Sequence, residues 1–152
     1  VSEVDRQAEQ EIIATIRRAY PAHGFLGEES GTIPAGPGGD EYVWIVDPLD
    51  GTTNFLHGIP MFAISIGLER DGQLVAGLVY NPIADELFTA EKGKGAFLND
   101  KRRLRVAARK TVGDAVVATG IPHRGRPGHP GFMKEMSTAM REVAGIRRTG
   151  SA

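Results

Sequence analysis

The 152 residues carry 18 basic and 19 acidic side chains, a net charge of -1, and are 41% hydrophobic and 24% charged. These proportions fit one ordinary globular domain and exclude a wholly disordered chain, and the balanced charge leaves no strong field to draw in nucleic acid or an anionic membrane. The lack of cysteine excludes disulfides, thiolate zinc sites and a cysteine nucleophile; no membrane partner and a cytoplasmic address are expected, because no apolar run approaches the roughly 18 residues of a membrane span and no signal peptide is recognisable.

In chain order, Val4, Ala8, Ile12, Ile16 and Ala19 recur at helical spacing and predict an opening helix with that face inward, Ser2 as its N-cap and Pro21 and Gly24 as its stop. Gly31 to Asp40 reads as a Gly/Pro-rich loop. Tyr42 to Val46 is continuously apolar, the pattern of a strand buried on both faces, and is expected to stop at Asp47-Pro48. Phe62 to Leu68 and Leu74 to Tyr80 predict two strands of a hairpin around Arg70-Asp71-Gly72-Gln73. Asn81-Pro82 turns the chain and Glu86 to Ala90 adds a third strand. Leu104 to Val106 and Ala115 to Ala118 predict further strands, and Arg124 to Gly131 a loop. Phe132 to Val143 predicts a helix with Met133, Met136 and Met140 on one side, and Ile146 opens a last strand. This order suggests an α+β architecture, a mixed sheet covered by helices, and not a regular Rossmann alternation.

Chemistry concentrates in Trp44-Ile45-Val46-Asp47-Pro48-Leu49-Asp50-Gly51-Thr52-Thr53-Asn54-Phe55. Two carboxylates stand three residues apart where a buried strand runs out, a costly place unless a cation or a donor meets them. Pro48 stiffens the turn, and Gly51 lets another group approach the backbone. Thr52, Thr53 and Asn54 are expected to start a helix whose free N–H groups suit a phosphate. Acids beside a phosphate would repel it without a divalent cation between them. Hard cations such as Mg²⁺ take oxygen ligands and share them with phosphate, so the pattern points to metal-assisted phosphoryl transfer to water. An EF-hand is excluded, because counting from Asp47 the third and twelfth positions are Leu49 and Gly58. The D-x-D spacing of aspartyl-phosphate enzymes is also absent. The bland alternative is a strand-ending turn followed by a helix cap. Gly27-Glu28-Glu29-Ser30 lies upstream and offers further carboxylates, since Mg²⁺ prefers six oxygens. Asp5 is another candidate, or simply an acid well placed at a helix N-terminus.

Gly27 to Ser30 followed by Trp44 to Phe55 resembles the inositol monophosphatase family. Pro60 to Gly67, Gly77 to Pro82, Lys92 to Asn99, Val1 to Arg6 and Gly145 to Ala152 are similar too, so the resemblance runs along nearly the whole chain. It implies a layered αβαβα sandwich and a Mg²⁺-dependent phosphatase, usually a homodimer, using two or three ions, with Mn²⁺ as a substitute and Li⁺ as an inhibitor. By the same resemblance Glu28, Asp47 and the Leu49 carbonyl hold a first metal, and Asp47 and Asp50 a second. Glu28 touches a third, weaker ion. Thr52 and Asp5 pair to orient and deprotonate the attacking water. Gly51 and Thr52 give backbone N–H groups to the phosphate beside Thr53, Asp50 approaches the sugar, and Ala152 falls where an inositol hydroxyl is contacted. The family's later W-D-x-A-A-type motif is not in these 152 residues, and the chain opens on Val1. The expectation is therefore a single, incomplete domain over 1–152, shortened at both ends.

The substrate implied is a small phosphate monoester of inositol or a similar polyol. Fructose 1,6-bisphosphatase, histidinol-phosphate phosphatase and 3′-phosphoadenosine phosphatase activities stand as alternatives within the superfamily. A non-catalytic partner role is the alternative outside it, since some relatives bind transcription machinery. Among the remaining residues, His57 is read as a turn histidine more than a pocket residue, and Trp44 as core behind the acidic strand. His23, His123 and His129 lack zinc-ligand spacing. Arg102, Arg103 and Arg105 read as a solvated strand face, and Arg124 and Arg126 as loop residues.

Overall fold

A computed structural model describes residues 3–122 and 127–150. The chain divides after Arg105 into two compact units. The first holds α1 (Glu3–Ala19), β1 (Gly24–Gly27), β2 (Gly31–Ile33), β3 (Tyr42–Asp50), α2 (Thr52–Leu56), β4 (Ala63–Arg70), β5 (Gln73–Asn81), β6 (Glu86–Glu91), β7 (Gly95–Leu98) and β8 (Arg102–Arg103). Its eight strands form one sheet in the order β2-β1-β3-β4-β5-β6-β7-β8. The β1–β3 pair is parallel and the other pairs are antiparallel. α1 packs against β3. The fold is a mixed α/β one, as the element order implied.

Several expectations need correction. The inward face of α1 is Asp5, Glu9 and Ile13, while Val4 is exposed. Apolar spacing misplaced that face because two of its three buried positions are carboxylates held by polar partners. β1 and β2 occupy ground read as turn and loop, since glycines at both ends of Gly24-Phe25-Leu26-Gly27 imitate a turn signal. β3 does not stop at Asp47-Pro48 but runs to Asp50. Pro48 fits because the register slips there: Asp47 faces Ser65 and Asp50 faces Ala63, so three steps on β3 oppose two on β4. That is a β-bulge, where proline is tolerated within a sheet. Tyr42 to Ile45 are half-buried, and full burial begins at Val46.

The hairpin between β4 and β5 is as expected. Asp71 and Gly72 both have positive φ, 49° and 74°, the backbone of a type I′ turn that matches strand twist. β7 was not anticipated, and β8 lies at Arg102–Arg103 instead of Leu104 to Val106, where Val106 is 95% exposed. Arg103 sets its guanidinium 5.9 Å from the Phe97 ring centre; Arg102 and Arg103 lie on an exposed strand, while Arg105 falls past its end. Trp44 is half-buried, not deep core. Its Nε1–H donates to His23 Nδ1 at 3.0 Å, and His23 stacks between Tyr20 and Tyr42.

The second unit, Val106–Gly150, contains β9 (Val116–Ala118), α3 (His129–Glu142) and β10 (Gly145–Arg147). β9 and β10 pair in parallel, with α3 in the connection between them that a parallel pair requires. Phe132, Met136 and Ala139 border a cavity with Val117 and Ile146. Met133 and Met140, expected on the same side as Met136, are 63% and 67% exposed. Ser2, His123, Arg124, Arg126 and Ala152 lie outside the described residues. Among the described residues no helix is long and apolar enough to cross a membrane.

Candidate metal and phosphate site

Three elements converge on the acidic corner. β1 runs parallel to β3 with Gly27 opposite Val46. The next N–H, that of Glu28, donates to Val46 O at 3.1 Å. Glu28 is thereby fixed beside the residue that precedes Asp47. α1 lies on β3 and brings Asp5, 2% exposed, close enough for its charge to act on both Glu28 and Asp47.

Beyond Asp47 the bulge buries Pro48 and Leu49 and turns the chain. Asp47 Oδ1 accepts the Leu49 N–H at 3.2 Å, a local clasp that aspartate favours at turns. Gly51 then takes φ 94°, a left-handed conformation that suits glycine, and starts α2. The Thr52 hydroxyl donates to Leu49 O at 3.1 Å. With its proton committed there, the Thr52 oxygen keeps lone pairs to accept from a water. The one turn of α2 is secured by Phe55 N donating to Gly51 O at 3.0 Å.

Asn54 escaped the sequence reading as a structural residue. It is buried, donates from Nδ2 to Met61 O at 2.7 Å, and its backbone carbonyl accepts the Ile59 N–H at 2.8 Å, which closes the loop after α2. Its position two residues into the T-T-N helix start was the only available signal. His57 Nδ1 contacts Thr53 O at 2.8 Å, so it caps the end of α2 in keeping with the turn reading.

The electrostatics are those of acids forced together. The Glu28 carboxyl is pushed up to about 7, first by desolvation, then by the Asp47 charge and a hydrogen bond with Asp47, then by Glu29 and Asp5. Glu28 is exposed as a residue, yet the groups facing its carboxyl are anionic or poorly hydrating. Asp47 is raised as well, by desolvation first and by Asp50 and Asp5, although hydrogen bonds from Glu28 and from the Leu49 N–H pull it back. Their mutual hydrogen bond raises Glu28 and lowers Asp47, so protonation is favoured at Glu28 over Asp47. Among the described residues no three acidic or imidazole side chains already enclose a point at which an ion would sit.

The donor set nonetheless fits a hard divalent ion. Glu28, Asp47, Asp50 and the Leu49 carbonyl are all oxygen donors, and a cation would relieve the repulsion that now raises Glu28 and Asp47. The structure thus gathers Asp5, Glu28, Asp47, Asp50 and Thr52 in one corner, with Gly51 and Thr53 at the adjoining helix start. Ala152, the inositol-contact candidate, is outside the described residues.

Comparison with known proteins agrees along the full chain. A sequence model of the inositol monophosphatase family matches residues 1–152. An inositol-1-monophosphatase from Rhizobium meliloti is 59% identical over 152 residues, covering 100% of this chain and 56% of the relative. The Nus factor SuhB of Pseudomonas aeruginosa is 46% identical over 154 residues, again covering 56% of the relative. The crystal structure of extragenic suppressor protein suhB from Bartonella henselae superposes with a TM-score of 0.94 at 55% identity, over 100% of this chain and 58% of that one. The chain therefore spans a little over half the length of the relatives it matches.

Proposed function

The chain belongs to the inositol monophosphatase family, and from that premise we propose that it supplies the acidic half of a Mg²⁺-dependent phosphomonoesterase site, acting on a phosphate ester of inositol or a similar polyol. The observation that carries this reading is the convergence of oxygen donors at one corner: β1 pairs with β3 so that Glu28 lies against Asp47, and Asp50, the Leu49 carbonyl and buried Asp5 adjoin them. Glu28, Asp47, Asp50 and the Leu49 carbonyl would hold the metal. Bound Mg²⁺, with Mn²⁺ as a substitute, supplies charge neutralisation and acidifies water.

The chain's own groups do the rest. Thr52, its hydroxyl proton directed to Leu49 O, accepts a hydrogen bond from the attacking water and orients it, and buried Asp5 takes the proton that this water gives up. Backbone N–H groups of Gly51 and Thr52, beside Thr53, receive the phosphate oxygens. Water oxygen bonds to phosphorus, the phosphorus–alkoxide bond breaks in line, and the alkoxide takes a proton from solvent to leave as the alcohol. Asp50 meets the polyol, and Ala152 is the proposed contact to a hydroxyl of it. A homodimer and Li⁺ inhibition belong to the same reading.

The test is phosphate release from inositol 1-phosphate and a panel of sugar phosphates by the intact protein that carries this sequence, with and without Mg²⁺. Asp47→Asn is expected to lower turnover at least about 100-fold while near-native circular dichroism persists. Near-normal turnover by that variant would remove Asp47 from the mechanism. Identity to a Nus factor of 46% favours a second reading, a role of that kind independent of catalysis. Asp47→Asn separates the two, because a non-catalytic role survives it.

A further inference from the structure

Glu9 is a second buried acid on α1, 2% exposed, and no step of the proposed hydrolysis uses it. Its two carboxylate oxygens are divided between successive backbone donors. Glu29 N–H donates to Oε2 and Ser30 N–H to Oε1, each at 2.9 Å. Together with the Glu28 N–H on Val46 O, three consecutive N–H groups of the turn after β1 are held, one by β3 and two by Glu9. The carboxyl group thus offers one oxygen to each of two successive backbone donors. Gly27 completes the device: a Cβ there would lie 2.5 Å from Glu9 Oε2 and from Ser30 Oγ, so the carboxylate sits where a side chain at 27 would stand.

We propose that Glu9 is a positioning residue for the metal corner: across 20 residues of sequence it grips the turn that carries Glu28 and fixes that ligand against Asp47. The inference rests on the reading of Glu28 as a metal ligand. α1 then serves the site twice, with Asp5 facing the carboxylates and Glu9, one turn further on, anchoring the loop that presents one of them.

Magnesium binding by calorimetry and amide hydrogen exchange at Glu29 and Ser30 test this in the intact protein. Glu9→Gln keeps the shape but turns one acceptor into a donor that opposes an N–H. It is expected to weaken Mg²⁺ binding about 10- to 100-fold, the effect typical of groups that orient a metal ligand, and to speed exchange at both amides. Gly27→Ala, which displaces the same carboxylate, should reproduce both changes, and it carries the test if Glu9→Gln fails to fold. In a Glu28→Gln background the loss of affinity from Glu9→Gln should largely vanish, because the effect passes through Glu28. Unchanged affinity in Glu9→Gln, or an equal loss in both backgrounds, would overturn the assignment and leave Glu9 a general stabiliser. Failure of the unaltered protein to bind Mg²⁺ would instead overturn the phosphatase reading, and this inference with it.

Discussion

The acidic corner and the β4–β7 meander belong to one sheet, yet they are built differently. At the corner, Phe25, Val46, Pro48, Leu49 and Asn54 are buried together with Asp5 and Glu9 of α1. Along the meander most positions are half-buried, and a hollow of about 320 Å³ lined by Trp44, Ile66, Leu68, Leu78 and Phe97 lies open on the sheet. Within these residues, burial is thus greatest around the most polar part of the unit. Carboxylates that repel one another stay together only if backbone and apolar neighbours prevent them from separating, so rigidity is spent where the charges are. The meander's strands are joined by short local turns.

The contrast is sharpest for Phe25, fully buried on β1 beneath the Arg17 guanidinium, whose carbon lies 5.3 Å from the ring centre. Phe25→Ala is expected to destabilise the chain by about 3–5 kcal/mol, read from urea midpoints. A loss below about 1 kcal/mol would show that the corner is not the stability core. Gly51→Ala comes next. A side chain at φ 94° is strained by roughly 1–2 kcal/mol, and the start of α2 should shift with it, visible as weakened phosphate-analogue binding in the intact protein.

A pH series tests the repulsion itself. Glu28 holds its proton up to about 7 in the folded chain against an ordinary value of 4.5, so between those values the folded state binds more protons than the unfolded one. Stability of the metal-free chain should fall as pH rises through that window and level off above it. Glu28→Gln should flatten the fall, and Mg²⁺ added above pH 7 should raise the melting temperature by mass action. A profile identical in Glu28→Gln would place the repulsion elsewhere. The smallest effect is expected on the meander: Leu74→Ser, at a position 64% exposed, should move stability by no more than about 0.5 kcal/mol. A much larger loss would mean that the open sheet is as tightly determined as the corner.

Much of the site was legible in the sequence because its chemistry is local. Asp47, Pro48, Asp50, Gly51 and Thr52 stand within six positions, and the turn, the helix start and the oxygen donors follow from residue type. The meander was legible for a similar reason, since Asp71-Gly72 prescribes its own turn. What was misread depended on partners far away in sequence. The buried face of α1 contains Asp5 and Glu9, and no hydropathy pattern announces a buried acid whose donors lie 20 or more residues on. β1 was hidden by its flanking glycines, although Gly24 and Gly27 are there to admit Ala35 and Glu9 to the backbone.

The sequence by itself determined which atoms are available at the corner and where the chain turns to expose them, because side-chain chemistry and glycine or proline backbone preferences are properties of short segments. Tertiary structure alone decided that β1 lies parallel to β3, that Glu28 meets Asp47 across that pairing, and that Glu9 reaches the turn between them. Those juxtapositions cost chain entropy and bring like charges together. They persist because the buried side chains and backbone hydrogen bonds around them outweigh both, and that balance is set by the assembled fold.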